Sequence, residues 1–96
     1  MKQVMVRYKV KPELVAENEA LVRAVYDELH AVAPADFRYA TFRLEDGVSF
    51  VHLAWTNGDA PLSKLAAFQR FTAQIRDRCD EPPAVTELAA IGAYRL

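Results

Sequence analysis

Apolar residues recur at every second position near the start of the chain, in the stretch QVMVRYKVK. The repeating positions are Val4, Val6, Tyr8 and Val10. This period of two, together with the β-branched residues, predicts a β-strand. The following stretch, PELVAENEALVRAVYDELHAVA, instead repeats its apolar residues at spacings of three, four and seven. It predicts a helix with one apolar stripe, which begins near Pro12 and ends before Pro34.

A β-hairpin is predicted where EDG separates the stretches FRYATFRL and VSFVHLAWT. Asp-Gly between two strand-like runs is the strongest short signal for a hairpin. A two-residue turn at Asp46 and Gly47 places Phe42 opposite Val51. A three-residue loop with a glycine bulge shifts this register by one residue and turns the second strand over. The sheet face on which His52 lies therefore stays open.

A second helix and a last strand complete the pattern. The segment NGDAP, from Asn57 to Pro61, is typical of a turn, and the stretch LSKLAAFQRFTAQIRDRC has apolar residues at helical spacing. We expect this helix to begin near Leu62 and to end before Pro82 and Pro83. The stretch VTELAAIGAYRL then predicts a strand, although its alanines and its glycine weaken the pattern.

The order β-α-β-β-α-β predicts a single α+β domain over residues 1–96, with the ferredoxin-like fold. Right-handed crossovers place both helices on one face of a four-stranded antiparallel sheet. The strands nevertheless carry apolar side chains on both faces, such as Phe42 on one and Phe50 on the other. A bare face of this kind exposes a larger apolar patch than monomers usually tolerate, and its burial stabilises by roughly 25 cal/mol per Å². We therefore predict a homodimer through the helix-free sheet face.

Composition narrows the possible partners. With 12 basic and 13 acidic residues the net charge is −1, which gives no electrostatic basis for nucleic-acid binding. The start MKQVMVRYKV lacks the apolar core of a signal peptide, and no apolar run reaches the ~18–20 residues of a membrane span. We expect a cytoplasmic protein without a membrane partner. Cys79 is the single cysteine, so we predict no internal disulfide and no cysteine-pair metal site.

Several polar residues on the hairpin are candidates for a functional site. His52 is a candidate general base or proton donor, because histidine titrates near neutral pH. The alternative is a hydrogen-bonded histidine in the dimer interface, which the lack of a carboxylate at a fixed spacing favours. Tyr39, Thr41 and Arg43 either line a cavity with His52 or form a polar ladder across that interface, and we favour the ladder. Trp55 either walls a ligand cavity or closes the core at the sheet edge.

Three residues on or next to the predicted helices carry further hypotheses. Asn18 lies on or beside the apolar stripe of the first helix, so it must be hydrogen-bonded, and we expect a backbone partner. Phe68 either floors a pocket or belongs to the core. Cys79 has no histidine nearby in the sequence and is interpreted as an unreactive thiol. Motifs such as GxGxxG, GxSxG and HExxH are absent from the sequence, and we predict neither a metal nor a cofactor.

Four stretches together resemble the antibiotic biosynthesis monooxygenase (ABM) superfamily of dimeric α+β barrels. They are the strand VMVRYKVKPE, the helix ENEALVRAVYDEL, the hairpin RYATFRLEDGVSFVHLAWTNGDAP and the helix start LAAFQRF. The piece nearest to a motif is a tryptophan at a strand end, followed by a loop and L-x-A opening a helix. Phe68 stands where this helix often has histidine, and the first strand lacks the asparagine of haem-degrading members. The resemblance therefore does not imply haem binding.

The resemblance implies a homodimer with a mostly apolar pocket for a hydrophobic or aromatic small molecule. If the protein is an enzyme, the resemblance implies a cofactor-independent monooxygenase. Trp55 and Phe68 would then line the pocket, and His52, Tyr39 and Arg43 would position the substrate or its anion. The alternative, from a different functional class, is a non-catalytic ligand-binding or structural homodimer.

Overall fold

The computed structural model describes residues 2–57 and 61–96. Its strands and helices are β1 (Lys2–Val10), α1 (Val15–Val32), β2 (Phe37–Arg43), β3 (Ser49–Thr56), α2 (Ala66–Ala73), α3 (Ile75–Arg78) and β4 (Cys79–Leu88). Short 3₁₀ turns at Pro12–Leu14 and Pro61–Lys64 lead into α1 and α2. The strands form one antiparallel sheet in the order β2-β3-β1-β4. This is the ferredoxin-like arrangement, so the predicted fold is confirmed.

The helices pack on one face of the sheet and enclose the core. The apolar positions that repeat along β1 point into this core, and Val10 at the end of the strand is fully buried. Tyr8 and Phe50 from the sheet meet Val25 and Phe71 from the helices in the same cluster. The period of two along β1 and the helical stripe of α1 therefore mark the two surfaces that face each other.

The hairpin has the predicted register but a different turn. Strands β2 and β3 pair residue for residue as the two-residue turn predicts. The chain reverses over four residues instead, because the N–H of Gly47 donates to the carbonyl oxygen of Leu44 at 3.0 Å. Gly47 has a φ of 79°, but the φ of Asp46 is not positive. A two-residue Asp-Gly turn requires a positive φ at both residues. The carboxylate of Asp46 accepts hydrogen bonds from the N–H groups of Val48 and Ser49 and holds this loop.

The register settles which sheet face His52 occupies. His52 faces the helices and is buried, and Tyr39 and Thr41 lie on the same face beside it. The interpretation of these residues as a polar ladder in the dimer interface is therefore wrong, because the helices of their own chain cover them. Trp55 lies three residues after His52 on β3 and so points to the opposite face.

The last strand begins earlier than predicted. Strand β4 starts at Cys79 directly after Arg78, so Pro82 and Pro83 lie in the strand and do not mark the end of the helix. An edge strand tolerates proline where its N–H would face away from the sheet, and the pairing of β4 with β1 is irregular at this end. The last eight residues of the chain belong to no strand. The predicted strand VTELAAIGAYRL is therefore correct only in its first four residues.

The second helical region begins as predicted near Leu62, in the 3₁₀ turn before α2. Gln74, with φ −130°, interrupts the helix and separates α2 from α3. The predicted turn from Asn57 to Pro61 includes residues 58–60, which lie outside the described residues.

No helix in the described ranges covers the opposite face of the sheet. This helix-free face carries Met5, Val51, Leu53 and Trp55 at its centre, and Phe42 of β2 is 54% exposed there. It is the face that the sequence predicts as the dimer interface. Among the described helices, none is long and apolar enough to cross a membrane.

Candidate functional site

A buried histidine lies between two tyrosines beneath the helices. His52 is in the middle of β3 and is 4% exposed. Tyr8 of β1 places its Oη 2.8 Å from Nε2 of His52, and Tyr39 of β2 places its Oη 2.5 Å from Nδ1. Oγ1 of Thr41 lies 3.0 Å from the same Nδ1 and 2.7 Å from the hydroxyl of Tyr26 on α1. Because β3 runs between β1 and β2, one imidazole joins the hydroxyls of both neighbouring strands.

Asn18 and Arg78 extend this hydrogen-bonded chain beyond Tyr8. Asn18 of α1 is fully buried and donates from Nδ2 to Oη of Tyr8 at 3.0 Å. Arg78 donates from Nε to Oδ1 of Asn18 at 3.2 Å and from a terminal nitrogen to the carbonyl oxygen of Phe71 at 2.6 Å. The predicted backbone partner for Asn18 is therefore wrong, because both partners of its amide are side chains.

Burial sets the protonation states at this site. It lowers the pKa of His52 from 6.5 to about 4, because the imidazolium would lose its hydration. It raises the pKa values of Tyr8 and Tyr39 well above their usual 10, because the phenolates would be desolvated. At neutral pH all three side chains are uncharged. A histidine with so low a pKa is a weak general base, so the site is better suited to hydrogen bonding than to proton abstraction.

A cavity of about 290 Å³ lies against this cluster, between the sheet and the second helical region. Its lining is Lys2, Val4, Val6, Phe37, Tyr39, His52, Ala54, Thr56, Leu62 and Phe68. Tyr39 and His52 supply polar groups in the interior, while Lys2 and Thr56 pair with each other at the strand ends. The remaining walls are aliphatic or aromatic, as in cavities that bind apolar molecules.

The structure brings together three of the five predicted site residues. Tyr39, His52 and Phe68 line the cavity. Trp55 lies on the helix-free face, in a separate depression that it shares with Arg38. Arg43 projects from the end of β2 and forms an ion pair with Glu19 of α1 at 2.5 Å, half exposed to solvent. The geometry therefore does not place Trp55 or Arg43 near a molecule in this cavity.

Three members of the cluster, Tyr8, Tyr26 and Arg78, were not assigned to a site from the sequence. In the sequence, Tyr8 is one of the alternating apolar positions of β1, and Arg78 lies in the stretch RDRCDE, which mixes basic and acidic residues. The 60 residues that separate Asn18 from Arg78 leave no local signal for their contact. Cys79 is buried, and burial raises the pKa of its thiol, as expected for an unreactive cysteine. Within residues 2–57 and 61–96, no three His, Cys, Asp or Glu side chains lie together in a metal-binding group.

A second, shallower groove of about 390 Å³ lies beyond Phe37 and Tyr39, along the end of α1. It contains the exposed His30 and the half-buried Tyr26. The stacked rings of Tyr26, Tyr39 and Phe37, with centres 5.3 and 5.8 Å apart, separate it from the cavity beside His52. Each of the two histidines of the chain therefore lines one of these two spaces.

Comparison with known proteins identifies the fold. The chain matches no family model and no curated protein sequence. It is similar to the crystal structure of an antibiotic biosynthesis monooxygenase, with a TM-score of 0.78 at 20% identity over 96% of this chain and 100% of the other. It is also similar to Rv0793 from Mycobacterium tuberculosis, with a TM-score of 0.76 at 22% identity over 96% of both chains.

A third similar structure is SnoaB from Streptomyces nogalater, described as a cofactor-independent oxygenase. Its TM-score is 0.70 at 19% identity, over 99% of this chain and 97% of the other. At these identities the likeness concerns the backbone arrangement. The resemblance inferred from the sequence is confirmed at that level: the chain has the fold of the antibiotic biosynthesis monooxygenase structures.

Proposed function

We propose that this protein is a homodimer that binds a small aromatic molecule in the cavity beside His52. The observation that carries the proposal is an apolar cavity whose buried inner end presents hydrogen-bonding groups, the hydroxyl of Tyr39 and the imidazole of His52. Sites for small organic ligands combine apolar walls with a few well-placed polar groups in this way.

The cavity volume limits the size of the ligand. At about 290 Å³ it is at the lower end of the ~300–1,000 Å³ typical of ligand pockets. It is roughly twice the ~150 Å³ of an engineered apolar cavity that holds benzene. A ligand of one or two fused rings therefore fits, while a larger molecule requires the cavity to open.

Binding is tested by calorimetry with 1-naphthol and other one- and two-ring phenols, using two tyrosine variants that each remove one hydroxyl. Tyr39→Phe removes the hydroxyl at the inner end of the cavity, and we expect a fivefold to tenfold weaker affinity, the contribution of about one hydrogen bond. Tyr26→Phe is the matched control, because Tyr26 belongs to the same aromatic stack but does not line the cavity. Equal affinities for the two variants would contradict the proposed site.

The exposed surface supports the homodimer. The chain exposes 6503 Å², whereas a compact monomer of 10.8 kDa exposes about 5,500 Å². Its radius of gyration of 13.6 Å also exceeds the value of about 12.5 Å for a compact chain of this length. The excess of roughly 1,000 Å² is close to the ~800 Å² that each partner buries in a typical interface.

The exposed apolar side chains indicate where a second copy would pack. Phe42 is 54% exposed on the helix-free face, and Ile91, Tyr94 and Leu96 of the final segment are exposed as well. Sedimentation of Phe42→Lys should show a monomer where the wild type is a dimer. Val32→Lys is the matched control, since Val32 is 56% exposed on α1, away from this face. A wild-type monomer at micromolar concentration would refute the dimer.

A second candidate function, cofactor-independent monooxygenation, is supported by the similarity to SnoaB and by the apolar cavity with its tyrosine hydroxyl. In such a reaction the substrate supplies the electrons: a phenol and O₂ give a quinone and water, with one atom of the O₂ in each product. The hydroxyl of Tyr39 would stabilise the substrate oxyanion by a hydrogen bond. His52 would not remove a ring proton efficiently, because its pKa is low.

Oxygen consumption separates the two candidates. An oxygenase consumes one O₂ per molecule of 1-naphthol or a related phenol, and we expect Tyr39→Phe to be at least tenfold slower than Tyr26→Phe. Ligand binding in calorimetry without oxygen consumption across the phenol panel would exclude the oxygenase for these substrates and leave the binding function.

A further inference from the structure

The donor and acceptor of each hydrogen bond around Tyr8 can be assigned, starting from Arg78. A guanidinium only donates hydrogen bonds, so the amide atom of Asn18 that contacts Nε of Arg78 at 3.2 Å must be the oxygen. The amide nitrogen of Asn18 therefore faces Tyr8 and donates to its hydroxyl oxygen at 3.0 Å. Arg78 is held in place by the carbonyl oxygen of Phe71 and by its position over the Phe71 ring.

The next bond in the chain follows from the single hydrogen of the Tyr8 hydroxyl. Tyr8 is 2% exposed, and its oxygen already accepts a hydrogen bond from Asn18. A buried hydroxyl left without an acceptor costs free energy, and the acceptor in reach is Nε2 of His52 at 2.8 Å. Nε2 therefore accepts, and the neutral imidazole carries its hydrogen on Nδ1.

The far side of His52 then has a defined polarity as well. Nδ1–H donates toward Oη of Tyr39 at 2.5 Å and Oγ1 of Thr41 at 3.0 Å. Because His52 occupies one lone pair of Tyr39 as a donor, the hydroxyl hydrogen of Tyr39 is not used by the imidazole. The Tyr39 hydroxyl also interacts with the side chain of Thr41, and Tyr39 lines the cavity, so a bound oxygen atom competes with Thr41 for this hydrogen.

We propose that Asn18 and Arg78 are positioning residues that hold His52 in its Nδ1–H tautomer, so that Tyr39 acts as a hydrogen-bond donor and the cavity selects aromatic molecules with a carbonyl or phenolate oxygen. The choice of ligand rests on the proposed binding function. The tautomer does not, because it is a property of the free protein.

The tautomer is measured directly in the wild-type protein by ¹⁵N NMR of labelled histidine near pH 7.5. We expect a protonated, pyrrole-type Nδ1 and an unprotonated, pyridine-type Nε2 for His52. The opposite assignment, or rapid averaging of the two tautomers, would overturn the proposal without any variant being made.

The substitution Asn18→Asp should reverse the donor and acceptor roles in the hydrogen bonds between position 18, Tyr8 and His52. A carboxylate at this position only accepts hydrogen bonds, so Tyr8 would donate to it and accept from Nε2–H of His52. The ¹⁵N spectrum should therefore switch to the Nε2–H tautomer, while Arg78 gains an ion pair that compensates the buried charge. Gln74→Glu is the matched control. Gln74 lines the same surface cleft as Arg78, so this substitution adds the same charge near Arg78 but outside the hydrogen bonds that link Arg78, Asn18, Tyr8 and His52. A variant Asn18→Asp that keeps the Nδ1–H tautomer would overturn the proposed positioning.

The ligand preference is tested with acetophenone and α-methylstyrene, which have nearly the same shape but differ in the carbonyl oxygen. The ratio of their affinities should be five to ten times more favourable to acetophenone in the wild type than in Asn18→Asp, the effect of about one hydrogen bond. An unchanged ratio would refute the ligand preference. Failure of both probes to bind would instead refute the proposed binding function, and the NMR result would still decide the tautomer.

Discussion

Acidification should destabilise this protein through His52 over a defined pH range. Burial lowers the pKa of His52 from 6.5 to about 4 in the folded chain. Between these values the unfolded chain binds a proton that the folded chain does not, so the free energy of unfolding falls as the pH falls. The loss begins near pH 6.5 and reaches about 3 kcal/mol at pH 4, from 1.36 kcal/mol for each unit of pKa difference.

The groups around His52 do not titrate in this range. Tyr8 and Tyr39 have raised pKa values because of burial, and Arg78, behind Asn18, is a permanent cation. Asp46 has its pKa lowered to about 2 by hydrogen bonds from Ser49 and Val48. The contribution of Asp46 to the free energy of unfolding is present above its unfolded pKa of 3.8 and is lost as the pH falls toward 2. This loss lies below the pH range in which protonation of His52 destabilises the fold.

The assay is urea unfolding at pH 7, 6, 5 and 4, at one protein concentration, because the proposed dimer would make apparent stability depend on concentration. The comparison is with His52→Gln, which has no titrating group at position 52. The wild type should lose about 3 kcal/mol more than the variant between pH 7 and pH 4. Equal losses in the two proteins would refute the conclusion that His52 is held uncharged by burial.

Three further predictions concern stability and assembly. Ala33 ends α1 in the left-handed conformation with φ 49°, so Ala33→Gly should raise the free energy of unfolding by about 1 kcal/mol in urea titrations. Oε1 of Glu28 accepts a hydrogen bond from the N–H of Ala67 in the first turn of α2 at 2.8 Å. Glu28→Ala should therefore lower the free energy of unfolding by about 1 kcal/mol. Asp27→Ala, at the neighbouring exposed position, should lower it by much less. Trp55, the single tryptophan, lies on the proposed interface, so its fluorescence should shift to longer wavelength as the dimer dissociates on dilution, and a concentration-independent spectrum would contradict that interface.

The fold was predictable because its main signals are local. The period of two in β1, the helical stripe of α1 and the Asp-Gly hairpin each lie within a few consecutive residues. The register of the hairpin was correct even though its turn was not, because the four-residue loop leaves the same residues of β2 and β3 opposite each other. Strand β4 was placed too late because Pro82 and Pro83 suggest the end of a helix, whereas an edge strand with a register shift at these two residues accommodates both.

The site was predictable only in part. The resemblance assigned Tyr39, His52 and Phe68 to one cavity, whereas the sequence pattern favoured an interface for Tyr39 and His52; all three side chains line the cavity. Trp55 was assigned there by resemblance, although its spacing of three residues from His52 on a single strand already places the two side chains on opposite faces. The contacts of Asn18 with Tyr8 and Arg78 depend on tertiary packing, because the partners lie 10 and 60 residues away along the chain.

The binding of an aromatic molecule in the cavity beside His52 is our principal proposal. The two histidines allow one direct test, because His52 lines the cavity and His30 lines the separate groove. Histidine-selective NMR during a titration with acetophenone should show saturable shifts of the His52 resonances and constant His30 resonances. Shifts confined to His30, or no shift of His52 at saturating ligand, would contradict binding in this cavity.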